Sequence, residues 1–473
     1  MNKFSRQPRR RTLALAALAA CLPIAVVFTA QALAPARDPA PPAPSSLPVN
    51  LEPAAAATPP APPAQPQPWR TPLPEQAIRP LPATFDVAAI ESLAEQLTWG
   101  TRVPGLSMSI VQGGQVLSAR GYGVTDVSNP EPVDAHTVFR IASLSKAFAG
   151  TLAGVLVEDG LLRWDSRIID HVPGFALRDP AATQSLTVAH VLSHQVGLTY
   201  NAFDRDVEAN ADYHTLTRKL SGAPLTCLPG QCYAYQNVAF SLIGDVVFAA
   251  TGDFYEQSVE KRLLKPLGMH DASLGLHGIM GSNRWARPHV RSRNGWAALT
   301  PKPTYYRVAP AAGVNASAAD MAQWLLAHTG HRTDVLSKPL LATLHAPLVS
   351  TPGELRSGWR RERLNAAGYG LGWRVFDYQG HTVVFHAGAV QGYRALLALL
   401  PERDMGVSIL WNGESTLPSG LLPTIIDAAL GQPLDSDWLD VSPLSPELLR
   451  AQRPADAPVP SGISSQRALT SPP

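Results

Sequence analysis

The chain has 473 residues and 45 prolines, nearly double the ordinary share, and fifteen of these lie between Pro35 and Pro74 with seven more from Pro443 onward. With 39 basic and 37 acidic residues the formal charge is +2, which offers neither a basic face for nucleic acid nor an acidic self-solvating chain. The foldable body is therefore residues 76–441, long enough to bury a large core.

Residues 1–34 place Lys3, Arg6, Arg9, Arg10 and Arg11 ahead of an uncharged apolar run from Thr12 to Ala34, the order of a signal peptide or membrane anchor. Ala30-Gln31-Ala32 and Ala32-Leu33-Ala34 offer cleavage sites, while the run is also long enough to span a bilayer. Leu18-Ala-Ala-Cys21 looks like a lipobox, although apolar sequence continues past it to Phe28. Residues 35–75 are rich in Pro and Ala, with almost no large apolar side chains, and read as a disordered tether. As polyproline II it would reach on the order of 100 Å from an N-terminal anchor in the inner membrane. The expected location is periplasmic or exported.

Asp86 caps a predicted helix with apolar positions Val87, Ile90, Leu93, Ala94 and Leu97. Leu106–Val111 and Val116–Tyr122 flank Gln-Gly-Gly-Gln and read as a hairpin. Ser143–Glu158 is apolar on nearly every side, which predicts an enclosed helix. Cys227 and Cys232 surround Pro-Gly, which can turn the chain back and bring the sulfurs within bonding range. An oxidising destination favours a disulfide over two buried free thiols. Helical patterns follow at Val238–Ala250 and Phe254–Leu264. Late in the body Gly370–Tyr378, His381–Phe385, Tyr393–Leu400 and Met405–Trp411 read as strands, with a covering helix near Leu421–Leu430. Residues 442–473 have no periodicity and read as a disordered tail. Strands at both ends of the body with helices between them predict an α+β domain: an antiparallel sheet built from both ends, flanked by helices, with a helical lobe inserted.

Chemistry concentrates in Ser143-Leu-Ser-Lys146. Positions i and i+3 share a helical face, so the Lys146 amine can approach the Ser143 hydroxyl, and a desolvated lysine loses its proton readily enough to act in proton transfer. The tetrapeptide alone says little, because Ser258-Val-Glu-Lys261 repeats it on an amphipathic helix without chemical company; a capping serine and a snorkelling lysine fit the same letters. Company is present at Tyr235-Gln-Asn237 and His386-Ala-Gly388. Among the 13 histidines no His-Glu-x-x-His occurs, so a metallohydrolase has no support.

With these three motifs in this order the chain resembles the serine β-lactamase-like family, in its class C β-lactamase, D-alanyl-D-alanine carboxypeptidase and family VIII esterase branch. Leu192-Ser-His-Gln-Val-Gly-Leu198, Lys265-Pro-Leu-Gly-Met269 and Gly370-Leu-Gly-Trp373 look like that family's structural landmarks, so the resemblance runs from about Val103 to Asn412. It implies a β-lactamase/transpeptidase-like fold, with Ser143 as nucleophile, Lys146 as its proton-managing partner and Tyr235 as the other half of the base, its phenolate made accessible by a neighbouring cation. Asn237 would orient the lysine and the acyl amide, and the N–H groups of Ser143 and Ala389 would hold the oxyanion. Gly388 would let substrate lie close to its strand. No cofactor or metal is implied.

Where penicillin-recognising members carry Lys-Thr-Gly, this chain has His386-Ala-Gly388, which argues against efficient β-lactam hydrolysis. A turn about Val390 would set His386 and Arg394 opposite each other as a joint substrate-binding cation, the alternative being an Arg394 that faces solvent. The expected function is an exported serine hydrolase acting on a small ester, amide or peptidoglycan-derived substrate, as an esterase or D-amino-acid peptidase. A class C-like β-lactamase and a catalytically slack peptidoglycan-binding or regulatory module are the alternatives.

Overall fold

A computed structural model describes residues 77–100, 102–356, 358–432, 438–439 and 461–462. The leader at 1–34 and the linker at 35–75 lie outside the described residues, as does nearly all of the 442–473 tail. Among the described residues no helix is long and apolar enough to cross a membrane.

Asp86 accepts from the Ala88 and Ala89 N–H groups and so starts α1 (Val87–Gln96) as its sequence predicts. The hairpin follows as β1 (Gly105–Gln112) and β2 (Gln115–Gly123). Helix α2 (Ser145–Glu158) is buried along almost its whole length. It runs so close to the chain at Leu371 that a Cβ on Gly150 would lie 2.1 Å from the Leu371 carbonyl oxygen. The inserted lobe contributes α3 (Leu242–Thr251) and α4 (Ala318–His328).

The late strands are β3 (Val349–Ser350), β4 (Leu364–Tyr369), β5 (Arg374–Tyr378), β6 (His381–Val390), β7 (Tyr393–Leu400) and β8 (Met405–Trp411). Helix α5 (Leu421–Ala429) follows them. Two residues of the expected tail, Ser461–Gly462, form β9 and pair with Gly121 and Arg120. The sheet order is β9-β2-β1-β8-β7-β6-β5-β4-β3, antiparallel throughout, with the first strand of the body beside the last major one: Leu106 faces Trp411 and Gln112 faces Met405.

Both faces of this sheet are covered, so its central strands alternate between two cores. On β7, Ala395, Leu397 and Leu399 join the core under the helical lobe, while Leu396, Ala398 and Leu400 join the one that α1 and α5 complete.

Among the late strands two expected boundaries move. Gly370–Trp373 is the turn between β4 and β5, not the start of a strand, because Gly372 takes a φ of 82°. Strand β6 continues through the His-Ala-Gly triplet instead of ending there, because Val384–Val390 stay paired with β7.

Candidate active site

Ser143 sits in a single 3-10 turn, Ala142–Leu144, that leads into α2, so the enclosed helix begins two residues later than its pattern predicts. Ala142 is fully buried with φ 51°, a left-handed conformation that costs a non-glycine residue of order 1 kcal/mol or more. The turn is stitched down by Ser145, whose hydroxyl donates to the Ala142 carbonyl (2.6 Å) and accepts from the Val314 N–H (3.0 Å). Strand β6 passes so near that a Cβ on Gly388 would lie 2.2 Å from the Ile141 carbonyl oxygen and 3.0 Å from the Ser143 nitrogen.

Lys146 is fully buried one turn into the helical segment. Its Nζ donates to Ser143 Oγ (3.3 Å), Asn237 Oδ1 (2.7 Å) and the Ala311 carbonyl (3.1 Å). Burial drives its pKa well below the ordinary lysine value, although Asp204 pulls the other way. The result is an amine that readily gives up its charge within reach of the serine hydroxyl.

The Lys146 Nζ also lies 4.6 Å from the centre of the Tyr235 ring. Here the structure corrects the expectation of an accessible phenolate. Burial raises the Tyr235 pKa, and Arg374 and a hydrogen bond with Ser143 offset this only in part, so the resting group is a neutral phenol. Cys227 and Cys232, just upstream, are joined in a disulfide with Cα atoms 6.2 Å apart.

Ser143, Tyr235, Asn237, Gly388, Ala389 and Arg394 line one cleft of about 390 Å3. His386 does not line it. Its hydrogen bonds determine its state: the Gln236 N–H donates to His194 Nδ1 (3.1 Å), which leaves the proton of a neutral His194 on Nε2, directed at the Tyr369 hydroxyl (3.1 Å). Tyr369 then donates to His386 Nε2 (3.0 Å), and His386 Nδ1 donates to the Ala387 carbonyl (2.9 Å). The chain closes only with both imidazoles neutral. Burial, helped by Arg374 and Lys146, accordingly pushes both histidines well below the usual imidazole range.

The conditional His386–Arg394 pair does not form. The hairpin turns at Gln391-Gly392, so Arg394 pairs with Ala389 and His386 with Leu397. Arg394 donates to the carbonyls of Val390 (2.7 Å) and Tyr393 (2.8 Å) at its own turn.

The cation near Tyr235 is instead Arg374, which opens β5 and pairs in register with Phe385, beside His386. Its guanidinium carbon lies 5.5 Å from the centres of the Tyr235 and Tyr369 rings, and it lines the cleft. Glu354 bridges Arg374 and Arg360, so the cluster keeps a net positive charge. Burial alone would lower the Arg374 pKa, but Tyr233, Glu354 and Tyr369 raise it, and it stays charged. Motifs missed Arg374, along with Asp204 and Tyr305, which line the same cleft; the position of Arg374 directly after Gly-Leu-Gly-Trp is the one available signal.

A family model described as Beta-lactamase matches residues 90–431. Protein flp of Staphylococcus aureus (strain MW2) is 26% identical over 344 residues, which cover 72% of this chain and 64% of that protein. The chain thus spans less than two thirds of that relative's length. Unguisins hydrolase ungD of Aspergillus violaceofuscus is 25% identical over 394 residues, 77% of this chain and 68% of that one. Among solved structures, the octameric penicillin-binding protein homologue from Pyrococcus abyssi aligns over 75% of this chain and 79% of its own with a TM-score of 0.66 and 24% identity. A D-stereospecific amidohydrolase from Streptomyces sp. aligns over 73% and 98% with a TM-score of 0.57 and 19% identity. At those identities the structural likeness speaks for the fold.

Proposed function

This chain belongs to the β-lactamase family, and we propose that it is a serine hydrolase that forms an acyl-enzyme on Ser143 from small D-amino-acid amides and peptides and their esters. The observation that carries the reading is the buried Lys146 amine, within 3.3 Å of the Ser143 hydroxyl and held by Asn237 and the Ala311 carbonyl.

In this reading neutral Lys146 takes the Ser143 proton as Oγ attacks the acyl carbon. The N–H groups of Ser143 and Ala389 hold the oxyanion, each such donor being worth about 3 kcal/mol in the transition state. Tyr235, a phenol, gives its proton to the departing amine or alcohol and recovers one from the Lys146 ammonium. Water, deprotonated by the same amine, then attacks the acyl carbon, and as the bond to Oγ breaks the Lys146 ammonium returns its proton to Ser143 and the acid is released.

Arg374 offers the fixed cation for a carboxylate on the leaving group, a role that neutral, buried His386 cannot fill. Without a lysine and hydroxyl in the third motif, β-lactams are poor substrates. The Streptomyces protein is a D-stereospecific amidohydrolase and the Aspergillus protein a hydrolase, which is in keeping with hydrolysis at this site. The basic-then-apolar leader and the Cys227–Cys232 bridge support an exported protein facing the cell wall.

The test is labelling with a fluorophosphonate, followed by peptide mapping, and turnover of a panel of D- and L-aminoacyl anilides, esters and cephalosporins. An adduct on Ser143 that Ser143→Ala abolishes, with turnover of D-aminoacyl substrates, supports the proposal. No adduct and no turnover leaves a binding module.

A further inference from the structure

Building on the acyl-enzyme reading, we infer that Asp204 makes the acyl side of the cleft a subsite for a substrate ammonium, so that acyl groups with a free amine are taken in preference to N-acylated ones.

The leaving group must lie beside its proton donor, Tyr235, and the cation Arg374 packs on that ring. The acyl group therefore extends the other way, along Asn237 and Asp204, which line the same cleft as Ser143. Asn237 is committed at both ends: Oδ1 accepts from Lys146 (2.7 Å), and Nδ2 donates to Asp204 Oδ2 (2.7 Å). The carbonyl of an N-acyl group brought to this amide meets carboxylate oxygens beside it and is repelled. An ammonium there meets an acceptor.

That acceptor has neutral partners and no cation in contact: Asn237 donates to Oδ2 and the Tyr305 hydroxyl also helps hold the carboxylate, while Oδ1 is buried without a hydrogen bond of good geometry and no ion pair to Asp204 forms among the described residues. Lys146 faces it across Asn237, Glu208 lies along its own short helix (Asp204–Glu208), and Tyr305 faces it from Thr304–Val308. The Tyr305 hydroxyl also donates to Glu208 (3.2 Å), so the surroundings of Asp204 are acidic, whereas the cation Arg374 lies at the Tyr235 ring. Burial, with Glu208 adding to it, pushes the Asp204 carboxyl up to about 6, while Asn237, Lys146 and the Tyr305 hydroxyl pull it down. At neutral pH it is an anion with too little compensation, and a bound ammonium supplies the rest.

Binding is measured on full-length Ser143→Ala by calorimetry with D-alaninamide and N-acetyl-D-alaninamide, so the result does not depend on turnover. The free amine binds at least tenfold more tightly, and Asp204→Asn in the same background reduces that ratio at least tenfold. A preference for the acetylated amide, or an unchanged ratio when both affinities fall together, overturns the inference and leaves Asp204 as a support for Asn237. Should Asp204→Asn not fold, the pH dependence decides: the ratio falls at least fivefold between about pH 7 and about pH 5 as the carboxyl protonates, and a flat ratio refutes it. Ser143 labelling in the wild type reports separately on the hydrolase reading.

Discussion

Gly388→Ala tests the geometry on which the oxyanion site depends. The added Cβ would stand 2.2 Å from the Ile141 carbonyl oxygen, 3.0 Å from the Ser143 nitrogen and 3.2 Å from the Ala142 Cβ. Ordinary contact begins at about 3.4 Å, so β6 and the nucleophile turn must separate by about 1 Å. Neither side yields easily: at Gly388 β6 is paired with β7, and the turn is tied by the Ile141 N–H to the Val314 carbonyl (3.2 Å) and by Ser145. A shift of that size takes the Ala389 N–H out of reach of an oxygen held at Ser143, and loss of one donor costs about 3 kcal/mol, or about 10²-fold in kcat. Overpacking destabilises by a further 1–3 kcal/mol or so, which a melting curve measures separately. The assay is kcat and KM for p-nitrophenyl acetate on protein shown to be folded at the assay temperature. A folded variant with kcat within about threefold of wild type refutes the argument.

Acylation needs an uncharged Lys146, so kcat/KM falls toward acid as the amine protonates, along a limb below the ordinary lysine value of 10.5. A limb centred at that value contradicts the reading, and Lys146→Met lowers kcat/KM by at least about 10²-fold. Replacing Arg374 with Ala lowers the preference for peptides with a free C-terminal carboxylate over their amides by about tenfold; an unchanged preference assigns the carboxylate elsewhere. Reducing Cys227–Cys232 opens a small loop worth about 2 kcal/mol and loosens the approach to Tyr235. Identical denaturation midpoints with and without reductant dispose of that expectation.

What the sequence makes legible is local. Ser143 and Lys146 are related by a single helical turn, and Tyr235 and Asn237 by two positions, so spacing alone places each pair. The hairpin of β1 and β2, the Asp86 cap and the enclosed α2 are readable for the same reason. What stays hidden depends on register. His386 and Arg394 look paired if the turn is centred on Val390, but a turn at Gln391-Gly392 places His386 beside Leu397. Arg374 reaches the cleft only because β5 lies against β6, and Asp204 only because its helix folds back on Asn237; neither carries a motif. The state of Tyr235 stays hidden too, because a nearby cation is visible as chemistry, whereas the depth of burial that outweighs it is not.

The pairing of β1 with β8 sets the order in which a nascent chain can mature. These partners are separated by about 300 residues, so the hairpin emerges from the ribosome with its β1 edge open and keeps it so until nearly the whole body has been synthesised. A product truncated before Met405 would retain Gly105–Gln112 as an unsealed apolar template, prone to join other chains, so premature termination yields aggregates in place of a smaller working enzyme.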